Sequence, residues 1–248
     1  MKTIQNAVVL VAIASGLVLF PGSVFAQELT FSMPENGSLS ARTIQLFVLI
    51  TLLSVVPGLA IMVTCFPFLV TVLSILRQAI GLQQSPPNML IVSLALFLTY
   101  FIMDPVFTEA WERGVSPLIE EKIDIEVAFK EALEPFRKFM AARLDPETFV
   151  AMAELRESTF SQQPTASAPL SLLVPSFMLS EIARAFQIGF LLFLPFLIID
   201  LVVAAVLMSM GMMMVPPAIV SLPFKLAFFV LADGWTLVAS ALVRSYFN

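Results

Sequence analysis

Two aspartates are the side chains of this sequence best placed to do chemistry in an apolar environment. Asp200 and Asp233 each interrupt a long uncharged run near the end of the chain. An ionisable group in lipid is costly, so it usually faces a bundle interior, a water-filled path or a partner charge. An ion or proton relay is one interpretation; pairing with Lys225 or with a cation of a neighbouring chain is the other. An aspartyl intramembrane protease is disfavoured, because Val-Leu-Ala precedes Asp233 without the expected glycine-bearing motif.

Three more charges lie within or beside apolar stretches, namely Arg77, Glu181 and Arg184. With the two aspartates and Lys225, they are candidate intramembrane or inter-subunit charge pairs. For Glu181, the candidate partners are Arg137 and Arg143, within one chain or between subunits.

Most enzyme classes are excluded by residues that the sequence lacks. It has no histidine and a single cysteine, Cys65. Metal sites built on His and Cys, internal disulfides, Cys–His dyads and Ser–His–Asp triads are therefore excluded. We expect no enzyme activity, no cofactor and no metal. The net charge of −5 also disfavours nucleic-acid binding, which needs clustered Lys and Arg.

The composition indicates a membrane protein. Of the 248 residues, 59% are hydrophobic and 12% charged, whereas soluble domains have about 45–50% and about 25%. The charges are also concentrated: 20 of 31 lie between Asp104 and Glu157, of which 13 are acidic. An almost uncharged remainder cannot form a water-facing surface.

The first 26 residues are typical of a cleavable secretory signal. Lys2 supplies the positive start, and the apolar stretch over residues 7–20 precedes the small residues read by a signal peptidase. An uncleaved first span is the alternative, but this stretch is shorter than the about 20 residues that a span needs. We predict cleavage after Ala26, which leaves Gln27 as an exported N-terminus, followed by a polar lead-in over residues 27–42.

The rest of the chain predicts an all-α membrane protein with two helical hairpins, made from four long, proline-kinked apolar helices. The hairpins cover residues 43–103 and 172–248 and flank a charged helical segment and linker over residues 104–171. Within that segment, apolar spacing predicts short amphipathic helices over 126–133 and 135–143, and another starting near Asp145. The signal places the charged segment and the C-terminus on the exported side.

The same spacing of a glycine and two consecutive prolines occurs in both apolar regions. Gly81 precedes Pro86-Pro87, and Gly211 precedes Pro216-Pro217, with four residues between glycine and proline in each case. Consecutive prolines end helices and favour turns, so these residues are expected to form the turns of the hairpins. The echo is either chance or an internal repeat of the kind found in transport proteins.

Five methionines in seven residues form the most unusual local feature: Met208, Met210, Met212, Met213 and Met214. Met208 and Met210 fit core packing on a helix. The three consecutive methionines beside Gly211 cannot all face one core, and their thioethers are flexible and polarisable. We interpret Met212–Met214 as a deformable apolar constriction.

Several blocks resemble the FliP family of flagellar export-gate proteins. They are Leu73–Asn88, Leu94–Thr99, Phe101–Val106, Ala185–Phe190, Pro195–Asp200, Val206–Pro217, Ser221–Leu226 and Val230–Trp235. The matching regions cover roughly residues 60–107 and 174–243. Phe68 departs from the family, whose members often carry Arg or Lys there.

The resemblance implies a core subunit of the bacterial type III export apparatus at the flagellar basal body. It implies a homo-oligomer of five copies with FliQ and FliR, an entrance wrapped by FlhB, and unfolded proteins as cargo. The location implied is the inner membrane, largely on its periplasmic side, with helices buried against sister subunits. The family's methionine gasket corresponds to Met212, Met213 and Met214. The alternatives are a carboxylate-coupled transporter of ions or small solutes, using Asp200 and Asp233, and a scaffold without a pore.

Overall fold

A computed structural model describes residues 39–82, 86–155 and 166–247. These ranges are mainly helical and contain no strand. The signal predicted to end at Ala26, the start at Gln27 and the lead-in up to residue 38 lie outside the described residues. The described residues divide between two units, one that ends at Ile50 and one that begins at Thr51.

Helices in the described ranges follow one another in three groups. The first apolar region holds α1 (Leu39–Met62), α2 (Phe66–Ile80) and α3 (Asn88–Ala110). The charged segment holds a π-helical turn (Trp111–Val115), α4 (Ser116–Ile119), α5 (Ile125–Arg143) and α6 (Pro146–Glu154). The second apolar region holds α7 (Leu170–Ser209), α8 (Pro217–Leu231) and α9 (Gly234–Phe247).

The sequence predicts four long helices, two in each apolar region. The structure corrects this layout, because each apolar region contains three helices. Residues 63–65 separate α1 from α2, and Pro67 lies in the first turn of α2, where its missing N–H is tolerated. Asp233 separates α8 from α9 with a left-handed φ of +47°. The hairpins are therefore α2–α3 and α7–α8, each extended by a further helix.

Pro135 does not divide the charged segment as the sequence predicts. α5 continues through it from Ile125 to Arg143. An interior proline removes one backbone hydrogen bond, but here Pro135 is buried together with Ala128 and Met140 on the same helix. This burial favours one continuous helix over the two short ones expected.

The helix α6 begins at Pro146, as the sequence predicts, with Asp145 as its N-cap. The Asp145 carboxylate accepts hydrogen bonds from the Thr148 backbone N–H at 2.9 Å and from its hydroxyl at 2.7 Å. Side-chain caps of this kind satisfy an otherwise unpaired N–H at the helix start. The two hydrogen bonds from Thr148 hold the pKa of Asp145 below its ordinary value of 3.8.

Replacing Asp145 tests this cap through its pH dependence. Asp145→Ala is expected to destabilise the fold by about 1 kcal/mol at neutral pH. Because the folded pKa is depressed, the charge-dependent stabilisation is fully present above pH 3.8 and is lost as the pH falls through the folded value. Thermal unfolding in detergent checks both effects. Asp145→Asn keeps an uncharged cap, so it should show less acid sensitivity than the native chain; equal sensitivity would contradict the assignment.

The main core is built on α2. One face of α2 packs on residues from α3, α7, α8 and α9, and its fully buried members include Phe68, Leu69 and Leu73. A smaller apolar cluster joins α6 to the end of α5 and the start of α7, centred on Phe149 and Phe177.

The helices α2 and α7 run in the same direction where they pack. Phe68 near the start of α2 contacts Tyr246, which donates a hydrogen bond to Glu181 of α7. About two turns further along both helices, Ile75 lies against Gly189, where an added Cβ would be 2.5 Å from Ile75 Cδ1. This parallel packing aligns the first helices of the two hairpins, as an internal repeat would require.

Three helical segments in the described ranges are long and apolar enough to cross a membrane: Thr43–Met62, Asn88–Ile119 and Leu170–Ser209. The pair α8 and α9, bent by 60°, makes a fourth if it forms one broken span. These lengths fit the prediction of an all-helical membrane protein.

Candidate functional site

The three consecutive methionines form an exposed turn between α7 and α8, which we call the methionine turn. Gly211 ends α7 with φ +76°, a conformation that favours glycine, and Pro216 is the N-cap of α8. Between them, Met212, Met213 and Met214 expose 42%, 83% and 98% of their surfaces. Within one chain, these three side chains do not pack in the core. Met208 and Met210 do not either, contrary to the sequence prediction, because they are 60% and 66% exposed. The methionine turn presents three flexible thioethers together at one end of a long apolar helix.

In the first hairpin, a glycine with positive φ also ends one helix and a proline caps the next, but the side chains between the helices differ. Gly81 ends α2 with φ +88°, and Pro87 is the N-cap of α3. Arg77 closes this turn, because its guanidinium donates to the Pro86 carbonyl at 3.3 Å and to the Asn88 side chain. The glycine and proline echo thus corresponds to two similar helix-ending turns, only one of which carries the methionines.

Asp200 and Lys225 form an ion pair between α7 and α8. Lys225 Nζ lies 2.6 Å from Asp200 Oδ2 and also donates to the Ala79 carbonyl at 3.2 Å. The Ser221 hydroxyl donates to the other carboxylate oxygen of Asp200. The lysine is almost fully buried and the aspartate is about one-third exposed. This arrangement neutralises the two charges and holds α8 to the end of α2 and to α7.

Asp233 lies apart from that pair. It is exposed at the break between α8 and α9, and its side chain has no hydrogen bond or ion pair with the residues that the structure describes. Gly234, which follows Asp233, lies close to the Phe229 ring. A Cβ added at Gly234 would be 2.2 Å from the nearest ring atom. The two aspartates that share a sequence context therefore have different environments.

Glu181 is fully buried at the centre of a charge cluster that joins three helices. Arg143 Nε lies 3.3 Å from its carboxylate and Arg184 Nη1 lies 3.7 Å away. Tyr246 of α9 donates its hydroxyl to the second carboxylate oxygen. Arg143 also donates to the Ser245 carbonyl at 2.7 Å, and its guanidinium carbon is 3.9 Å from the Tyr246 ring centroid. The end of α5 is thereby fixed to α7 and α9.

Arg137, the other partner considered for Glu181, has a different role. Its guanidinium donates to the carbonyl oxygens of Ala166 and Ala168, at 3.1 Å and 2.8 Å. It thus fixes the backbone just before α7.

Two residues in these clusters, Tyr246 and Ser221, are not among the residues predicted from the sequence. Tyr246, on the last helix, joins the Glu181 cluster from far along the chain. Ser221 lies one turn before Lys225 on α8, a spacing that brings both side chains to one face. That spacing is a usable signal for Ser221, whereas no local pattern marks Tyr246.

Phe68 lies in the wall of the same cluster. It is completely buried, and its ring packs edge-on against Tyr246 at a centroid separation of 5.6 Å. In this chain, the position at which the resemblance implies a basic residue therefore serves aromatic packing.

Metal chemistry has no support from the geometry of the described residues. They contain no group of three or more His, Cys, Asp or Glu side chains arranged to hold an ion.

An apolar groove between α7 and α8, with a volume of about 530 Å³, is lined by aliphatic side chains, Met210 and Phe224. The exposed chemistry at this end of α7 is thus that of thioethers and hydrocarbon.

The sequence matches the FliP family over residues 49–242, most of its length. The chain belongs to the FliP family. It is 47% identical to the flagellar biosynthetic protein FliP of Caulobacter vibrioides over 244 residues, which cover 98% of this chain and 91% of that protein. The FliP of Bacillus subtilis is 44% identical over 225 residues, covering 90% and 99%. The resemblance found in the sequence is confirmed, and FliP is not a family of enzymes.

Proposed function

We propose that this FliP-family chain is the core pore-forming subunit of the flagellar type III export gate. Unfolded flagellar proteins would cross the bacterial inner membrane through it while the flagellum is assembled. The methionine turn carries this proposal, because Met212, Met213 and Met214 project as an exposed apolar tip from the end of α7. Copies arranged around one axis would bring these thioethers into a ring that adapts to passing chains of different shapes.

The outer surface of α7 supports an assembly of several copies. Large apolar side chains are exposed along much of its length: Phe186, Phe190, Leu191, Leu197, Ile198, Leu201 and Val202. Water-soluble monomers rarely expose so much contiguous apolar surface, so lipid or other helices must cover it. We propose five copies, with FliQ, FliR and FlhB as partners, in the basal body and largely on the periplasmic side.

The contacts of the charged residues favour conduction over coupling. In a carboxylate-coupled transporter of ions or small solutes, Asp200 and Asp233 would bind the coupling ion. Asp200 is instead bound by Lys225 and Ser221, and Asp233 lies elsewhere at a helix break. In our proposal, Asp200 and Lys225 hold the hairpin together, as Glu181 and Arg143 hold the charged segment to it.

The test replaces all three members of the methionine turn. Met212→Ala, Met213→Ala and Met214→Ala combined should leave the assembly intact but raise the ion permeability of membrane vesicles severalfold. Alanine is apolar but much smaller than methionine, so the constriction widens and no longer excludes ions by dewetting. The matched control is Met208→Ala with Met210→Ala, which removes exposed methionines from the end of α7 and spares the turn. The mass and composition of the detergent-purified complex establish whether assembly is unchanged.

The triple variant and a second variant, Asp233→Asn, distinguish the remaining hypotheses. A scaffold without a pore predicts unchanged permeability in the triple variant, or failure to assemble. A carboxylate-coupled transporter predicts that Asp233→Asn abolishes transport, whereas an export gate that still assembles retains protein export. Purification of a monomer without partner chains would contradict the proposed function.

A further inference from the structure

We propose that Met213 and Met214 form an oxidation site, and that conversion of their thioethers to sulfoxides makes the constriction leak. The oxidants are peroxide or hypochlorous acid, which reach exposed thioethers directly. The effect on conduction rests on the proposed function, whereas the site of oxidation does not.

The backbone explains why these two side chains are so accessible. Gly211 turns the chain away from α7, and Met212 is held by a hydrogen bond of 2.9 Å from its N–H to the Leu207 carbonyl. Pro216 then begins α8. Met213 and Met214 occupy the outermost part of this short turn, with 83% and 98% of their surfaces exposed.

The chemistry is a transfer of one oxygen atom. Hydrogen peroxide oxidises the thioether sulfur to a sulfoxide and is itself reduced to water, while both carbon–sulfur bonds stay intact. The product is polar and accepts hydrogen bonds, in contrast with the flexible apolar side chain from which it forms. Sulfoxides in an apolar constriction would hold water there and oppose the dewetting that excludes ions.

The other sulfur atoms of the described core are protected. Met103 and Met140 are buried, and so is the single cysteine, Cys65. Burial raises the pKa of the Cys65 thiol to about 12, so very little reactive thiolate forms at neutral pH. Met89 is a useful contrast, because it is 81% exposed but lies at the start of α3, outside the methionine turn.

Peptide mass spectrometry tests the site itself. The full-length chain in its purified complex is treated with hydrogen peroxide, and sulfoxide is measured at each methionine over time. Met213 and Met214 should be oxidised at least about tenfold faster than Met103 and Met140, since oxidation of sulfur follows its exposure. Equal rates at buried and turn methionines, or protection of the turn, would overturn the proposal.

Permeability of vesicles that contain the complex tests the consequence. Peroxide should raise the ion leak severalfold in the native protein and in Met89→Leu, and methionine sulfoxide reductase should reverse it. Met213→Leu with Met214→Leu should assemble and resist the effect, because leucine keeps an apolar side chain without sulfur. If sulfoxide forms without a leak while the triple alanine variant does leak, the consequence is wrong and the proposed function stands. If neither leaks, the proposed function fails too.

Discussion

Glu181→Ala is expected to cost about 3–5 kcal/mol of folding free energy, because it leaves a buried cation without its counter-ion. The Arg143 guanidinium lies 3.3 Å from the Glu181 carboxylate, and its side chain is only 15% exposed. Without the carboxylate, Tyr246 also loses the acceptor of its hydroxyl. One of the guanidinium nitrogens of Arg143 already lacks a hydrogen-bond partner. In the Glu181→Ala variant, few groups are therefore left to accept the hydrogen bonds that the carboxylate accepted.

Thermal unfolding of the purified chain in detergent measures this loss, together with the amount of assembled complex. The partner variant combines Glu181→Leu with Arg143→Met, which removes both charges and keeps apolar volume. It should recover much of the stability, because replacing a whole buried pair by hydrophobic residues is often neutral or favourable. Glu126→Ala, which breaks an exposed pair with Lys130, should leave unfolding unchanged. A Glu181→Ala chain as stable as the native one would show that Arg143 reaches solvent or another partner.

Glu181→Arg is a more severe version of the same change. It would put a third cation beside Arg143 and Arg184, and assembly should fail. Assembly at the native level would contradict a role for Glu181 in holding the charged segment to α7.

Local sequence signals predicted the turns but not the long-range contacts. Gly81 and Gly211 mark helix ends because their left-handed φ values are strained for other residues. Proline-rich sequence marks helix starts for an equally local reason, as at Pro87 and Pro216. The methionine turn follows from these same markers, since three methionines between a glycine and two prolines have no helix to bury them.

The other features depend on contacts between residues that lie far apart in the sequence. Arg137 and Arg143 were equal candidates for Glu181, and only the packing of α5 on α7 distinguishes them. Tyr246 has no local signature at all. Pro135 was misjudged because its local cost is outweighed by burial of the helix around it. Propensity is a weak guide wherever tertiary packing overrides it.

The helix junction at the π-helical turn is where a single added methyl group should do the most damage. At Gly114, a Cβ would lie 2.5 Å from Ala132 Cβ, 2.7 Å from the Ala128 carbonyl oxygen and 2.9 Å from Ala132 Cα. These are mainly atoms of the α5 backbone or fixed to it, so no side-chain rotation relieves the overlap. The ion pair of Arg113 with Glu131, at 3.2 Å, links the same two elements.

Gly114→Ala should therefore destabilise the chain by about 1–3 kcal/mol or more, since overpacking a close contact forces backbone shifts. Gly58→Ala is the matched control: Gly58 lies in α1 with no atom within 4 Å of an added Cβ. It should be neutral or slightly stabilising, because alanine favours helix more than glycine does. Thermal unfolding and limited proteolysis between α4 and α5 measure both variants. Equal behaviour of the two would mean that α5 does not lie on the π-helical turn. The charged segment would then be held to the apolar helices without that contact, by the Glu181 cluster and by the apolar cluster around Phe149 and Phe177.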